Sequence, residues 1–160
     1  YAMTGWRIGF ATGPRWLLQA METLQGQQTS GAGSISQQAA LAALEGPKDF
    51  IHSSRIAFQK RRDLMVDQLN SIPGLECTSP AGAFYAFACC AGLIGRTSPA
   101  GRVLSTDEDV ALALLDEAGV AVVHGSAFGL GPYIRIAYAL DDAVLRRACE
   151  AIRRFCMAVR

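Results

Sequence analysis

Two arginines are the residues of this chain on which a chemical argument can stand. Arg7 lies in Arg-Ile-Gly-Phe-Ala-Thr and Arg135 in Tyr-Ile-Arg-Ile-Ala-Tyr, and both runs are apolar and strand-like. A guanidinium there must reach water or find an anion, because burying it unpaired is strongly unfavourable. Neither has an acidic residue beside it in sequence. With a period of two, Arg135 shares a face with Tyr133 and Ala137, while Ile134, Ile136 and Tyr138 point the other way, so one face can be core and the other the wall of a site. The guanidinium fork matches a carboxylate bidentately and a phosphate nearly as well. A structural ion pair or a solvent-facing edge residue would place an arginine in the same setting, and the residues alone leave both readings open.

The elements that must position these side chains follow from periodicity. Residues 7–12 read as a short strand ended by Gly13-Pro14, and Pro14 suits the first turn of a helix over 15–24 that carries Trp16, Leu17, Ala20, Met21 and Leu24 at helical spacing. Residues 25–33 turn to Gln, Thr, Ser and Gly and read as a loop. Ser34 or Ser36 is a candidate cap for an Ala-rich helix to about Leu44, stopped by Gly46-Pro47. The longest helical pattern covers 49–72 and ends at Pro73-Gly74; at about 1.5 Å per residue it can run from one domain into the next. Strands are then expected at 75–78, 83–88, 120–124 and 133–139, with helices at 106–118 and 141–159. Residues 89–102 carry Gly and Pro without a period and read as an exposed excursion. The second half is therefore expected to be an α+β unit.

Composition limits the function classes. With 15 Lys plus Arg against 14 Asp plus Glu, no net field favours nucleic acid or an anionic membrane, which leaves small metabolites as ligands. Five cysteines show no zinc-site spacing and an odd count suits a disulfide framework poorly, so no metal and a reducing cytoplasm are expected. No apolar run reaches the roughly 20 residues of a membrane span. No targeting leader precedes Tyr1, and an opening on a dense motif without an initiator methionine reads as a fragment.

Other candidates carry less. His52 and His124 show no Ser or Cys partner at a recognisable spacing. Cys149 and Cys156, seven apart, fit one packed helical face. The Gly-rich run from Gly125 to Gly131 lacks the helix and lysine of a phosphate-binding loop and reads as a tight loop leading into the Arg135 strand. Lys48 and Lys60, the only lysines, fall on positions expected to be solvated on a helix.

Several of these stretches together resemble a known family. The opening Tyr-Ala-Met-Thr-Gly-Trp-Arg-Ile-Gly-Phe is similar to the segment following the Schiff-base lysine of class I aminotransferases of the aspartate aminotransferase family. Arg61-Arg62-Asp63, Pro80-Ala81-Gly82-Ala83-Phe84-Tyr85, Gly119-Val120-Ala121-Val122-Val123 and Gly125-Ser126-Ala127-Phe128-Gly129 agree in order and spacing, so the resemblance covers essentially the whole chain. The run from Cys90 to Pro99 further resembles bacterial aspartate aminotransferases that also accept prephenate.

The resemblance implies an α/β fold of pyridoxal-phosphate (PLP) fold type I: the end of the large domain over 1–44, a bridging helix over 45–73 and a small C-terminal α+β domain over 74–160. It implies that Arg7 binds the PLP phosphate and Arg135 the substrate α-carboxylate. The catalytic lysine would stand two positions before Tyr1, so no catalytic residue is assigned within the chain, and these residues alone are expected not to transaminate. The complete enzyme would be a homodimer moving an amino group between aspartate or another amino acid and a 2-oxo acid such as 2-oxoglutarate, with prephenate as a further acceptor. An aminotransferase-like sensor domain of a transcription regulator, a PLP lyase of the same fold and a small binding domain are the rival readings. The regulator would need a basic helix-turn-helix, and none is visible here.

Overall fold

The computed structural model describes residues 1–160, which divide into two compact units, Tyr1–Ser53 and Ser54–Arg160. The first unit is helical. A 3-10 turn, Thr4–Trp6, is followed by α1 (Arg15–Thr29), α2 (Ser34–Glu45) and the opening of α3 (Asp49–Asn70).

Residues 7–12 do not form the expected strand. A strand is held by its ladder to a neighbour, and all of the chain's strands lie beyond residue 75, so nothing in this unit can pair with it. α1 runs five residues past the expected end at Leu24, through a Gln-rich stretch read as loop: Gln is a good helix former and a single Gly26 is tolerated. It stops where Ser30 turns left-handed at φ 63°. Neither Ser34 nor Ser36 caps α2; the cap position is Gly33, and Ser36 Oγ donates instead to the Trp6 carbonyl at 2.9 Å. Neither α1 nor α2 buries a residue, and Phe10 (85% exposed), Trp16 (71%) and Ile35 (77%) are largely open.

The second unit contains the core. Its sheet has four antiparallel strands in the order β1-β2-β4-β3, with β1 at Glu76–Cys77, β2 at Tyr85–Cys89, β3 at Val123–His124 and β4 at Tyr133–Ala137. Each is as long as or shorter than the apolar run suggests, because pairing with its neighbour sets the ends. In the central pair, Ala86 and Ala88 stand opposite Ile136 and Ile134, and these four side chains are buried. They form one core with Met65 and Leu69 of α3, Val110 and Leu114 of α4 (Asp107–Ala118), and Leu145, Cys149, Ile152 and Phe155 of α5 (Asp142–Ala158). Cys149 and Cys156 are packed in that core, as their spacing on α5 suggests.

Residues 89–102 are not the exposed excursion expected. Cys90, Leu93 and Ser98 are buried, Ser98 Oγ donates to Glu117 at 2.7 Å, and Thr97 exchanges backbone hydrogen bonds with Arg160. An aperiodic segment can still be core when turns aim its few apolar side chains inward. No helix is long and apolar enough to cross a membrane.

Candidate functional site: an arginine between two aromatic rings

The alternation along β4 is half-buried and buried in turn, so Ile134 and Ile136 enter the core while Tyr133, Arg135 and Ala137 line the opposite face. In the ladder Arg135 stands between Phe87 on β2 and Val123 on β3. Its guanidinium carbon lies 4.3 Å from the ring centroid of Tyr85 and 4.1 Å from that of Phe128. Beside them Phe87 and Tyr133 stack at 5.0 Å with nearly parallel rings.

Two π-systems thus lie against the guanidinium, and they attract the cation without neutralising it. Arg135 takes part in none of the chain's ion pairs, whereas Arg61, Arg62, Arg102, Arg153 and Arg154 each have a carboxylate within 4 Å. The arrangement leaves the donor-bearing edge of the fork for an external planar anion.

Phe128 is brought there by the 3-10 turn Gly125–Phe128, which Gly129 closes at φ 80°. The turn is tight at Gly125: a Cβ there would meet the Leu130 carbonyl oxygen at 2.3 Å and the Cβ of Tyr133 at 2.6 Å. The glycine permits a close backbone approach that no other residue would allow. A buried carboxylate fixes the rest of the turn. Asp107, only 4% exposed at the start of α4, accepts from Ser126 N at 2.9 Å, Ser126 Oγ at 2.8 Å and Tyr133 N at 3.3 Å. Burial alone would push its carboxyl upward, but the two bonds from Ser126, the Tyr133 amide and the nearby His124 outweigh that and hold it below the usual aspartate value.

His124 has a serine neighbour at a spacing outside the recognisable catalytic ones: Nδ1 lies 2.8 Å from Ser126 Oγ. The pair was missed because a two-residue separation across a turn matches no hydrolase spacing. It is not a nucleophilic site, however. The Ser126 hydroxyl directs its proton to Asp107, so the imidazole Nδ1–H donates to the oxygen rather than acting as its base.

Arg7 belongs to the first unit. It ends the Thr4–Trp6 turn in the left-handed region at φ 51°, is exposed, and its Nη1 donates at 3.2 Å to the Thr4 carbonyl. It too has no carboxylate partner within 4 Å and is chemically able to hold a phosphate. The lysines are placed differently. Lys48 precedes α3 rather than lying on it, and its ammonium donates to the carbonyls of Ala43, at 2.8 Å, and Leu44 at the end of α2. Lys60 is exposed on α3.

Elsewhere in the second unit a concavity of about 400 Å³ is lined by Arg55, Phe58, Arg62, Phe84 and Tyr138 among others. Two of its polar groups are already used: Arg62 Nη1 donates to the Pro80 carbonyl at 3.3 Å and the Tyr138 hydroxyl to that of Ala83 at 3.1 Å. It therefore serves the packing of the 80–84 segment more readily than recognition.

Comparison with known proteins bears on the family and the fold. The model of the family "Aminotransferase class I and II" matches residues 1–152. A "Probable aspartate/prephenate aminotransferase" of Rhizobium leguminosarum bv. phaseoli is 57% identical over 158 residues, which are 99% of this chain and 40% of that protein. An aspartate/prephenate aminotransferase of Cereibacter sphaeroides is 54% identical over 156 residues, 98% of this chain and 39% of its own length. Among solved structures, the aspartate aminotransferase from Rhizobium meliloti superposes with a TM-score of 0.92 at 52% identity, over all of this chain and 40% of that one. The chain thus spans about 40% of the length of the curated relatives it matches.

Proposed function

We propose, from the premise that this chain belongs to the class I and II aminotransferase family, that the complete protein moves an amino group between aspartate and a 2-oxo acid such as 2-oxoglutarate, with prephenate as a further acceptor. Similarity to relatives named for aspartate and prephenate supports the substrate class. The observation that carries the reading is Arg135, a guanidinium flanked by Tyr85 and Phe128 and paired with no carboxylate of the chain. In that role its fork binds the α-carboxylate of the amino acid, and the two rings restrain the fork by contact.

Family members work with PLP, which when bound supplies the electrophilic aldehyde and the electron-withdrawing ring that the chemistry needs. The residues present fit the part of the cofactor that requires an anion holder. Arg7 is exposed, is bound only to its own turn, and would take the phosphate. They do not offer a lysine for the aldehyde, since Lys48 caps α2 and Lys60 lies on an exposed helix position. These 160 residues alone are accordingly assigned binding roles and no proton-transfer step.

The further assignments are of one piece with this reading. Residues 1–44 close the large PLP-binding domain, residues 45–73 bridge, and residues 74–160 form the small domain; a single helix, Asp49–Asn70, running through the middle segment supports it. The open apolar side chains of α1 and α2 suit burial against the remainder of a homodimeric enzyme. Five free thiols suit a reducing cytoplasm.

Arg135→Lys in the full-length enzyme tests the proposal. Losing one bidentate, charge-assisted pair is expected to lower kcat/KM for aspartate by roughly 10- to 100-fold while cofactor absorbance stays at the wild-type level. An unchanged KM for every amino-acid substrate would remove Arg135 from the site.

A further inference from the structure

The ring on Arg135 is held in place by a residue that forms no ion pair with Arg135. Phe128 sits at the end of a four-residue 3-10 turn whose own hydrogen bonds are few: Gly129 N to the Ser126 carbonyl at 3.0 Å and Leu130 N to that of Gly125 at 3.2 Å. The turn is fastened to the rest of the second unit by Asp107. One carboxylate oxygen takes the Ser126 hydroxyl, and the other gathers the amide of Ser126, within the turn, and the amide of Tyr133, where β4 begins. Asp107 thus ties the segment bearing Phe128 to the first residue of the strand bearing Arg135, from the first residue of α4.

The same bonds dispose of a charge that would otherwise compete. A carboxylate near a cationic ligand site could neutralise the cation, but this one is satisfied by three donors of the turn and strand. It also lies at the N-terminus of α4, where the helix favours a negative charge. Arg135 keeps its own charge for a ligand.

We propose that Asp107 is a positioning residue of the carboxylate clamp: by fixing the turn that carries Phe128 against the guanidinium of Arg135, it sets the affinity for the substrate carboxylate without touching the substrate. The inference rests on the reading of Arg135 as that clamp. Ser126 acts as an intermediate, tethered to the carboxylate through both its amide and its hydroxyl.

A double-mutant cycle in the full-length holoenzyme tests this, with steady-state KM and kcat for aspartate as readouts. Phe128→Leu keeps an apolar side chain but removes the ring, and is expected to raise KM about 3- to 10-fold, the range of one partly desolvated cation–π contact. Phe128→Tyr, which restores a ring, should return KM to within about twofold of wild type. Asp107→Asn is expected to raise KM by a similar factor with kcat changed by less than about twofold, and to add nothing further when Phe128 is already Leu. A wild-type KM in Asp107→Asn, or an equal rise in both backgrounds, overturns the proposal, since a merely structural carboxylate would act independently of the ring. Should Asp107→Asn not fold, Ser126→Ala removes one of the three bonds and carries the same comparison, with a smaller rise expected. The two readings fail separately: an unchanged KM in Arg135→Lys removes the clamp itself, whereas a raised KM there beside a normal one in Asp107→Asn removes only the positioning role.

Discussion

Arg61, Arg62, Arg102, Arg153 and Arg154 find carboxylates, and Arg135 finds two rings. The difference matters because an ion pair neutralises a guanidinium, whereas a ring leaves its charge intact and restrains its plane. At the same scale Asp107 offers a direct test by titration. Its carboxyl is held below the ordinary aspartate range, so the charged form is favoured by folding. The stability this contributes is fully present above the unfolded-state value near 3.9 and is lost as pH falls through the lower folded-state value. Asp107→Asn is therefore expected to lower unfolding free energy by about 1–3 kcal/mol at pH 7, with the gap to wild type narrowing as the pH drops below about 4. Chemical denaturation at several pH values measures it, and a gap that stays constant through the acid range would show that the charge is not involved.

The helices were legible in sequence because each carries its own period, although the end of α1 and the cap of α2 were not. α4 illustrates this: Thr106 accepts from Asp109 N while the Asp109 carboxylate accepts from Thr106 N, a reciprocal cap written in four consecutive residues, and Gly119 ends the helix at φ 66°. Thr106→Ala is expected to lower the stability of the second unit by roughly 1 kcal/mol, read as a shift in denaturation midpoint at unchanged slope. The alternation around Arg135 was legible for the same local reason. What could not be read locally was anything settled by a partner far along the chain. The 7–12 strand needed a neighbour that this unit lacks. The 89–102 segment becomes core through Glu117 and Arg160. Asp107 meets Ser126 and Tyr133 across separations of 19 and 26 residues, and as one of three consecutive acidic residues in a helix's first turn it carries no local mark that sets it apart. Tyr85 and Phe128 stood within recognised stretches, but no spacing rule places both rings on Arg135.

For the molecule as a whole, burial is uneven: the core runs from Met65 to Val159, while α1 and α2 bury nothing. The cysteines share this asymmetry. All five lie from position 77 onward, four are buried and Cys89 is half-buried, and burial pushes the thiols of Cys90 and Cys156 up to about 12. A thiolate-seeking reagent at neutral pH should consequently modify one sulfur promptly and the other four only as quickly as the α+β unit opens. Mass spectrometry of timed maleimide pulses counts the steps, and prompt modification of all five would contradict the packing described. Because residues 1–53 contain no sulfhydryl at all, such a pulse is a clock that runs only in the α+β unit, so it times opening around Arg135 and is untouched by fraying at α1.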